Sequence, residues 1–148
     1  MPDSGETNNY VDLEVILHSG PHVDRYSVKL SATKPEGLPV DHNGTAEFDI
    51  RRLVALSNDP LSYAQLLTKS LFNDPAVFSA FNQARGVAQA DGGTLRVRLI
   101  LEPSAHNLHA LHWEALLDPQ GEKGSYLFNS TGRLYYFRGI LAARIGRP

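Results

Sequence analysis

Val11, Leu13, Val15 and Leu17 alternate with Asp12, Glu14 and His18, the period of a strand with one face in a core and one in solvent. Ser19-Gly20-Pro21 breaks the run, and Tyr26, Val28 and Leu30 then alternate with Arg25, Ser27, Lys29 and Ser31. The short break between the two runs predicts an antiparallel hairpin. Residues 33–44 hold Pro35, Gly37, Pro39 and Asn43-Gly44 and read as a loop, with a turn at Asn43-Gly44. Ala46, Phe48 and Ile50 make a third alternating run. The period then changes. Asp49 is placed to cap a short helix through Leu53, Val54 and Leu56. Asn58-Asp59-Pro60 recurs as Asn73-Asp74-Pro75, and in both the Asp suits an N-cap and the Pro a first helical position, where its missing N–H costs nothing. Leu61, Ala64, Leu67 and Leu71 share one face of the helix that follows, and Val77, Phe78, Phe81, Ala84 and Ala88 share one face of the next.

After Asp91-Gly92-Gly93, Leu95, Val97, Leu99 and Leu101 alternate with Arg96, Arg98 and Glu102, the clearest strand in the chain, ended by Pro103. Ser104 to Leu111 reads as a short helix or turn leading into Trp113-Glu114-Ala115-Leu116-Leu117. Tyr126-Leu127-Phe128 and Leu134 to Phe137 read as two last strands joined by a turn at Ser130-Thr131-Gly132. The expected fold is α+β: a mixed or antiparallel sheet of about five to six strands with two to three helices packed on it. A polar tail over residues 1–9, one module over 10–140, and a tail or junction to a catalytic part over 141–148 complete the expected organisation.

The chain has 148 residues, enough for one core, and 42% hydrophobic against 20% charged residues places it among globular rather than disordered chains. A formal net charge of −2 gives no overall basic footprint, so nucleic acid is not an expected partner. Arg96, Arg98, Arg133, Arg138, Arg144 and Arg147 do cluster near Tyr126, Tyr135, Tyr136 and Phe137, which is the composition of a single-strand binding face, but acidic residues interrupt it. No apolar run is long enough to span a bilayer, the first residues lack the layout of a secretory signal, and a cytoplasmic protein without a membrane partner is expected. There is no cysteine, so a disulfide, a thiolate metal site and a cysteine nucleophile are all excluded within this sequence.

Three constellations are candidates for chemistry. His106, His109 and His112 form H-x-x-H-x-x-H, which on a helix drifts by about 60° per step and converges poorly on a metal; the competing reading is three polar residues around a Leu108, Leu111 and Trp113 anchor. Glu114 is a candidate general acid or base beside the only tryptophan. The competing reading is a packed Trp113 with its N–H bonded and Glu114 held by Arg96, Arg98 or Arg138. A third view, a small metal-dependent or acid–base enzyme using His106, His109 and Glu114, lacks a nucleophile or second acid, and no G-x-S-x-G elbow or phosphate loop is present.

The run Leu95-Arg96-Val97-Arg98-Leu99-Ile100-Leu101-Glu102-Pro103, with Leu108-His109-Ala110-Leu111-His112-Trp113-Glu114-Ala115-Leu116-Leu117-Asp118-Pro119 after it, resembles the leading segment of CHAT-domain proteins, in which an L-R-[IV]-R-L strand precedes L-x-x-L-P-W-E-x-L-x-D-P. His112 stands where that family usually has proline, and the specific part of the likeness covers residues 94–138. The resemblance implies that Leu108, Leu111, Trp113, Glu114, Asp118 and Pro119 are structural signature positions. CHAT proteins are caspase-like cysteine peptidases, often joined to sensor or repeat modules in bacterial defence and signalling. Their catalytic H-x-x-G-H-like and N-A-C-like segments follow the region matched here, so no catalytic, cofactor-binding or metal residue is carried over. The expected function is therefore a non-catalytic structural and regulatory module of such a peptidase. It would pack on a caspase-like catalytic domain, in cis or in trans, and couple it to a sensor or repeat protein. The alternative is a stand-alone protein-interaction adaptor in a bacterial defence or signalling system.

Overall fold

The computed structural model describes residues 10–90, 92–120, 126–127 and 134–138. The N-terminal stretch 1–9 and the stretch 141–148, both singled out above, lie outside the described residues, as does the turn expected at Ser130-Thr131-Gly132. The chain runs β1 (Tyr10–Ser19), β2 (Arg25–Thr33), β3 (Val40–Glu47), α1 (Ile50–Ala55), α2 (Pro60–Phe72), α3 (Pro75–Ala90) and β4 (Thr94–Leu101). Two 3-10 segments, Pro103–Ala110 and Trp113–Ala115, and a short β5 (Leu134–Arg138) follow. The class is α+β.

Sheet order is β3-β2-β1-β4-β5. β1 pairs antiparallel with β2, and β2 antiparallel with β3. β1 pairs parallel with β4, from Tyr10 opposite Thr94 to Leu17 opposite Leu101, and β5 lies parallel beside β4. The sheet is thus antiparallel on one side of β1 and parallel on the other. β5 being parallel to β4 departs from the expected pair of hairpin strands at the end of the chain. Tyr126 instead forms a single antiparallel bridge with Leu117.

Period-two alternation in the strands sends Val11, Leu13, Val15 and Leu17, Tyr26, Val28 and Leu30, and Leu95, Val97, Leu99 and Leu101 to one face. There they meet Tyr63, Ala64, Leu67 and Leu71 of α2 and Val77, Ala80, Phe81, Ala84 and Ala88 of α3 in one continuous core. Aspartates start each of α1, α2 and α3. Asp49 accepts from the Arg52 N–H at 3.1 Å, and Asp59 from the Ser62 N–H at 3.3 Å with Pro60 just inside the helix. Asp74 accepts from the Ala76 N–H at 2.9 Å.

The loop expected over residues 33–44 ends early, because β3 already begins at Val40 and Asn43-Gly44 lies inside it. The glycine has a packing reason. A Cβ at Gly44 would come within 2.7 Å of Val77 Cγ2 and 3.0 Å of Asp74 Oδ2, so the start of α3 can sit on β3 only over a residue without a side chain. Most of β3 is exposed, which is why its residues show no buried alternation before Ala46.

Candidate functional site

Two features stand out among the described residues: the segment from Leu108 to Asp118, and the face of the sheet that carries no helix. In the first, Leu108, Leu111, Trp113 and Leu116 are buried together. Trp113 packs edge-on against Phe48 at 5.5 Å between ring centroids, and Phe48 against Tyr26 at 5.8 Å. The indole N–H donates to the Leu108 carbonyl at 2.9 Å, so the buried ring leaves no orphaned donor. Two side chains of α2 hold the ends of this turn. Tyr63 Oη accepts from the His112 N–H at 2.9 Å, and Thr68 Oγ1 accepts from the Leu117 N–H at 2.8 Å. Burial pushes the Tyr63 hydroxyl above its ordinary pKa of 10.0, outweighing the stabilising His112 N–H, with the Glu114 charge adding to the rise.

Asp118 completes the segment. Arg85 of α3 donates from both terminal nitrogens to its two carboxylate oxygens, at 2.8 and 2.7 Å, with the Arg85 side chain 15% exposed and the Asp118 side chain 3%. The guanidinium also lies 5.0 Å from the Phe81 ring centroid, and the Gln120 N–H donates to Asp118 at 2.9 Å. A bidentate, charge-assisted pair of this kind fixes orientation as well as distance. It ties the Trp113 turn and Pro119 to the helix layer. Arg85 and Tyr63 were not singled out from the sequence. The signal for Arg85 is a cation placed one position after Ala84 on the apolar side of α3.

Glu114 does not pair with Arg96 or Arg98, two of the three arginines expected to hold it. Its side chain is 72% exposed, and its partner is His112 at 3.6 Å rather than an arginine. Arg96 and Arg98 are committed elsewhere, and the side chain of Arg138 lies outside the described residues. The reason is the 3-10 turn itself, which directs Trp113 inward and its neighbour Glu114 outward. The three histidines are dispersed in role. His106 and His112 are exposed, and His109 lies 3.3 Å from the Glu102 carbonyl. Among the described residues no three His, Asp or Glu side chains converge as a metal site.

The second feature is the opposite face of the sheet. Tyr10, Asp12, Glu14 and Ile16 of β1 lie in register with Thr94, Arg96, Arg98 and Ile100 of β4, and those described are only partly buried. Arg96 donates to Asp12 at 2.7 Å and 3.1 Å and lies 3.7 Å from the Tyr10 ring centroid, while Arg98 donates to Glu14 at 3.3 Å. The arginines of β4 therefore pair with the acids of β1. The remaining members of the arginine cluster, Arg133, Arg144 and Arg147, lie outside the described residues. No helix in the described residues is long and apolar enough to cross a membrane.

Comparison of the chain with protein-family models, with curated proteins and with solved structures returns no match.

Proposed function

We propose that this chain is a non-catalytic structural and regulatory module that packs against a caspase-like catalytic part of the CHAT type and couples it to a partner. The observation that carries the reading is the parallel half of the sheet. Parallel pairs are normally covered on both faces, because their strands are buried on both. Here β1 and β4 have helices on one face, while Ile16 and Ile100 remain part-exposed on the other among the described residues. Among the described residues the far edge of β5 has no strand beside it in the sheet, a direction in which the parallel half can grow. The Leu95–Glu102 strand and the Trp113–Asp118 turn are also the segments that resemble the CHAT leading region. The Arg85–Asp118 pair supplies a reason for an aspartate at that place, since it locks the turn to the helix layer. With the catalytic His and Cys expected on the partner, the module's part is mechanical: it orders one side of a shared sheet. A cytoplasmic setting accompanies the proposal.

The test has two stages. The coding region after Pro148, or beside this gene, should carry H-x-x-G-H and N-A-C segments. That polypeptide, purified with this chain, should form a defined complex in light scattering. Ile16→Asp with Ile100→Asp should weaken it at least about tenfold, a loss of roughly 1.4 kcal/mol, with the circular dichroism of the free chain unchanged. Absence of any caspase-like coding region, or a complex indifferent to both substitutions, rejects the proposal.

A further inference from the structure

We infer that Asn43-Gly44 is a site of spontaneous covalent modification, held shut by the pairing of β3 with β2, and that its conversion to isoaspartate uncouples β3 from α3. The inference does not rest on the peptidase reading and concerns the other edge of the sheet.

An asparagine followed by glycine carries its own nucleophile. The Gly44 nitrogen gives its proton to water and attacks the side-chain carbonyl carbon of Asn43. The bond from that carbon to the amide nitrogen breaks, and the nitrogen takes up a proton and leaves as ammonia. Water then opens the cyclic imide at either of its carbonyls. One opening gives aspartate. The other gives isoaspartate, in which the former Cβ of Asn43 lies in the main chain. Glycine hinders the attack least, because it has no Cβ beside the attacking nitrogen. Asn43 is exposed, so water reaches its side chain.

The strand holds the reaction back in two ways. The Thr45 N–H turns away from β2 to meet the Asp74 carboxylate at 2.8 Å. N–H directions alternate along a strand, so the Gly44 N–H points into the sheet, toward Val28, its partner in the β2–β3 register. A nitrogen bonded there is not free to attack. The extended backbone also turns it away from the Asn43 side chain. The ring therefore closes only when β3 opens locally. Among the described residues β3 is an edge strand paired on one side alone, and such elements open at the low end of the range of local stabilities.

The two products differ in what they do to the fold. Gly44 lies under the start of α3, where even a Cβ would come within 2.7 Å of Val77 Cγ2. The next residue, Thr45, donates its N–H and its hydroxyl to Asp74 at 2.8 and 3.3 Å. An extra main-chain carbon at residue 43 displaces Gly44 and Thr45 together, so the close approach and the Asp74 bonds are lost at once. Aspartate leaves the main chain unchanged and keeps both. Its added charge stands opposite Lys29, the register partner of Asn43.

The full chain is aged at neutral pH and body temperature, with and without guanidinium chloride, then cut with trypsin and read by mass spectrometry. Cleavage after Lys29 and Arg51 releases residues 30–51, whose one side-chain amide is that of Asn43. Amide-to-acid exchange in this peptide should be at least about tenfold slower in the folded chain. Equal rates, or no exchange in denaturant, overturn the inference. Folded chain aged until both products are measurable is then given a short protease pulse near its unfolding midpoint, where survival reads stability. Chains with isoaspartate should be depleted several-fold among the survivors, and chains with aspartate should survive like those with asparagine. Equal survival of the isoaspartate chains overturns the uncoupling of β3 from α3.

Discussion

Leu99 and Ile100 are neighbours on β4, yet Leu99 is 1% exposed among helix side chains while Ile100 stays part-exposed on the other face. The ion pairs of the two sides differ in the same way. Arg85 and Asp118, on the helix side, are 15% and 3% exposed and make two short hydrogen bonds. On the uncovered face, Arg96 and Asp12 are 27% and 20% exposed, and Arg98 and Glu14 are 34% and 35%. Among the described residues, one face of the sheet is therefore covered by helices and its Arg85–Asp118 pair is largely desolvated, while the ion pairs on the other face keep more contact with water. The packing on one face and the docking proposed for the other fall on opposite sides of the same strands, so substitutions should separate them.

The largest expected effect is at the anchor. Trp113→Ala removes a buried ring packed on Phe48 and should cost about 3–5 kcal/mol in urea unfolding. Glu114→Gln, one residue on and exposed, should stay within about 0.5 kcal/mol. A large loss at Glu114 would contradict the solvent-facing placement given to it here.

Next comes the pair of arginine–aspartate contacts. Asp118→Ala strands the Arg85 guanidinium in a desolvated site and should cost about 3–5 kcal/mol. Asp12→Ala, on the other face, should cost less, about 1–2 kcal/mol, because that pair is 27% and 20% exposed and its charges stay better hydrated than those of Arg85 and Asp118. Near-equal losses would mean that the two faces are equally desolvated in the free chain, and the comparison would break.

The third test is on β4 itself. Leu99→Ala should cost about 2–5 kcal/mol. Ile100→Ala removes part-exposed apolar surface and should cost on the order of 1 kcal/mol in the free chain. In the complex proposed above, the cost at Ile100 should rise toward that at Leu99.

How much of this was legible in the sequence depends on whether a residue's environment is local. Alternation in β1, β2 and β4 and the Asp-Pro starts of α2 and α3 are local signals, and these elements lie where the sequence places them. β3 was not legible before Ala46, because an exposed edge strand needs no apolar alternation and Asn43-Gly44 has the look of a turn. Gly44 is glycine for a contact with Val77 some thirty residues away, which no local rule reports. The same holds at the anchor. The need of Trp113 for an N–H partner was legible, but the inward and outward directions of Trp113 and Glu114 follow from a 3-10 turn whose ends are held by Tyr63 and Thr68 of α2. The arginines of β4 were legible as a face, and their partners on β1 were not, because parallel pairing sets that register.

The smallest expected effect sharpens the comparison at its boundary. Asp74 sits where the helix-covered side meets the open edge of β3, accepting from the Thr45 N–H, the Ala76 N–H and the Thr45 hydroxyl. These bonds, that of Thr45 first, hold its carboxyl below the ordinary 3.8. A carboxylate whose pKa is lower folded than unfolded contributes stability that is complete above the unfolded value and is lost as pH falls through the folded one. Asp74→Ala should therefore cost about 1 kcal/mol at neutral pH, the usual worth of an N-cap. The gap between wild type and variant should narrow as pH falls from 3.8 through the lower folded value, below which the proton occupies the group in both states of the wild type. Urea titrations of both proteins at matched pH from neutral downward measure that gap. A gap that stays constant to the acid end would mean that the charge on Asp74 does not hold α3 to the β3 edge.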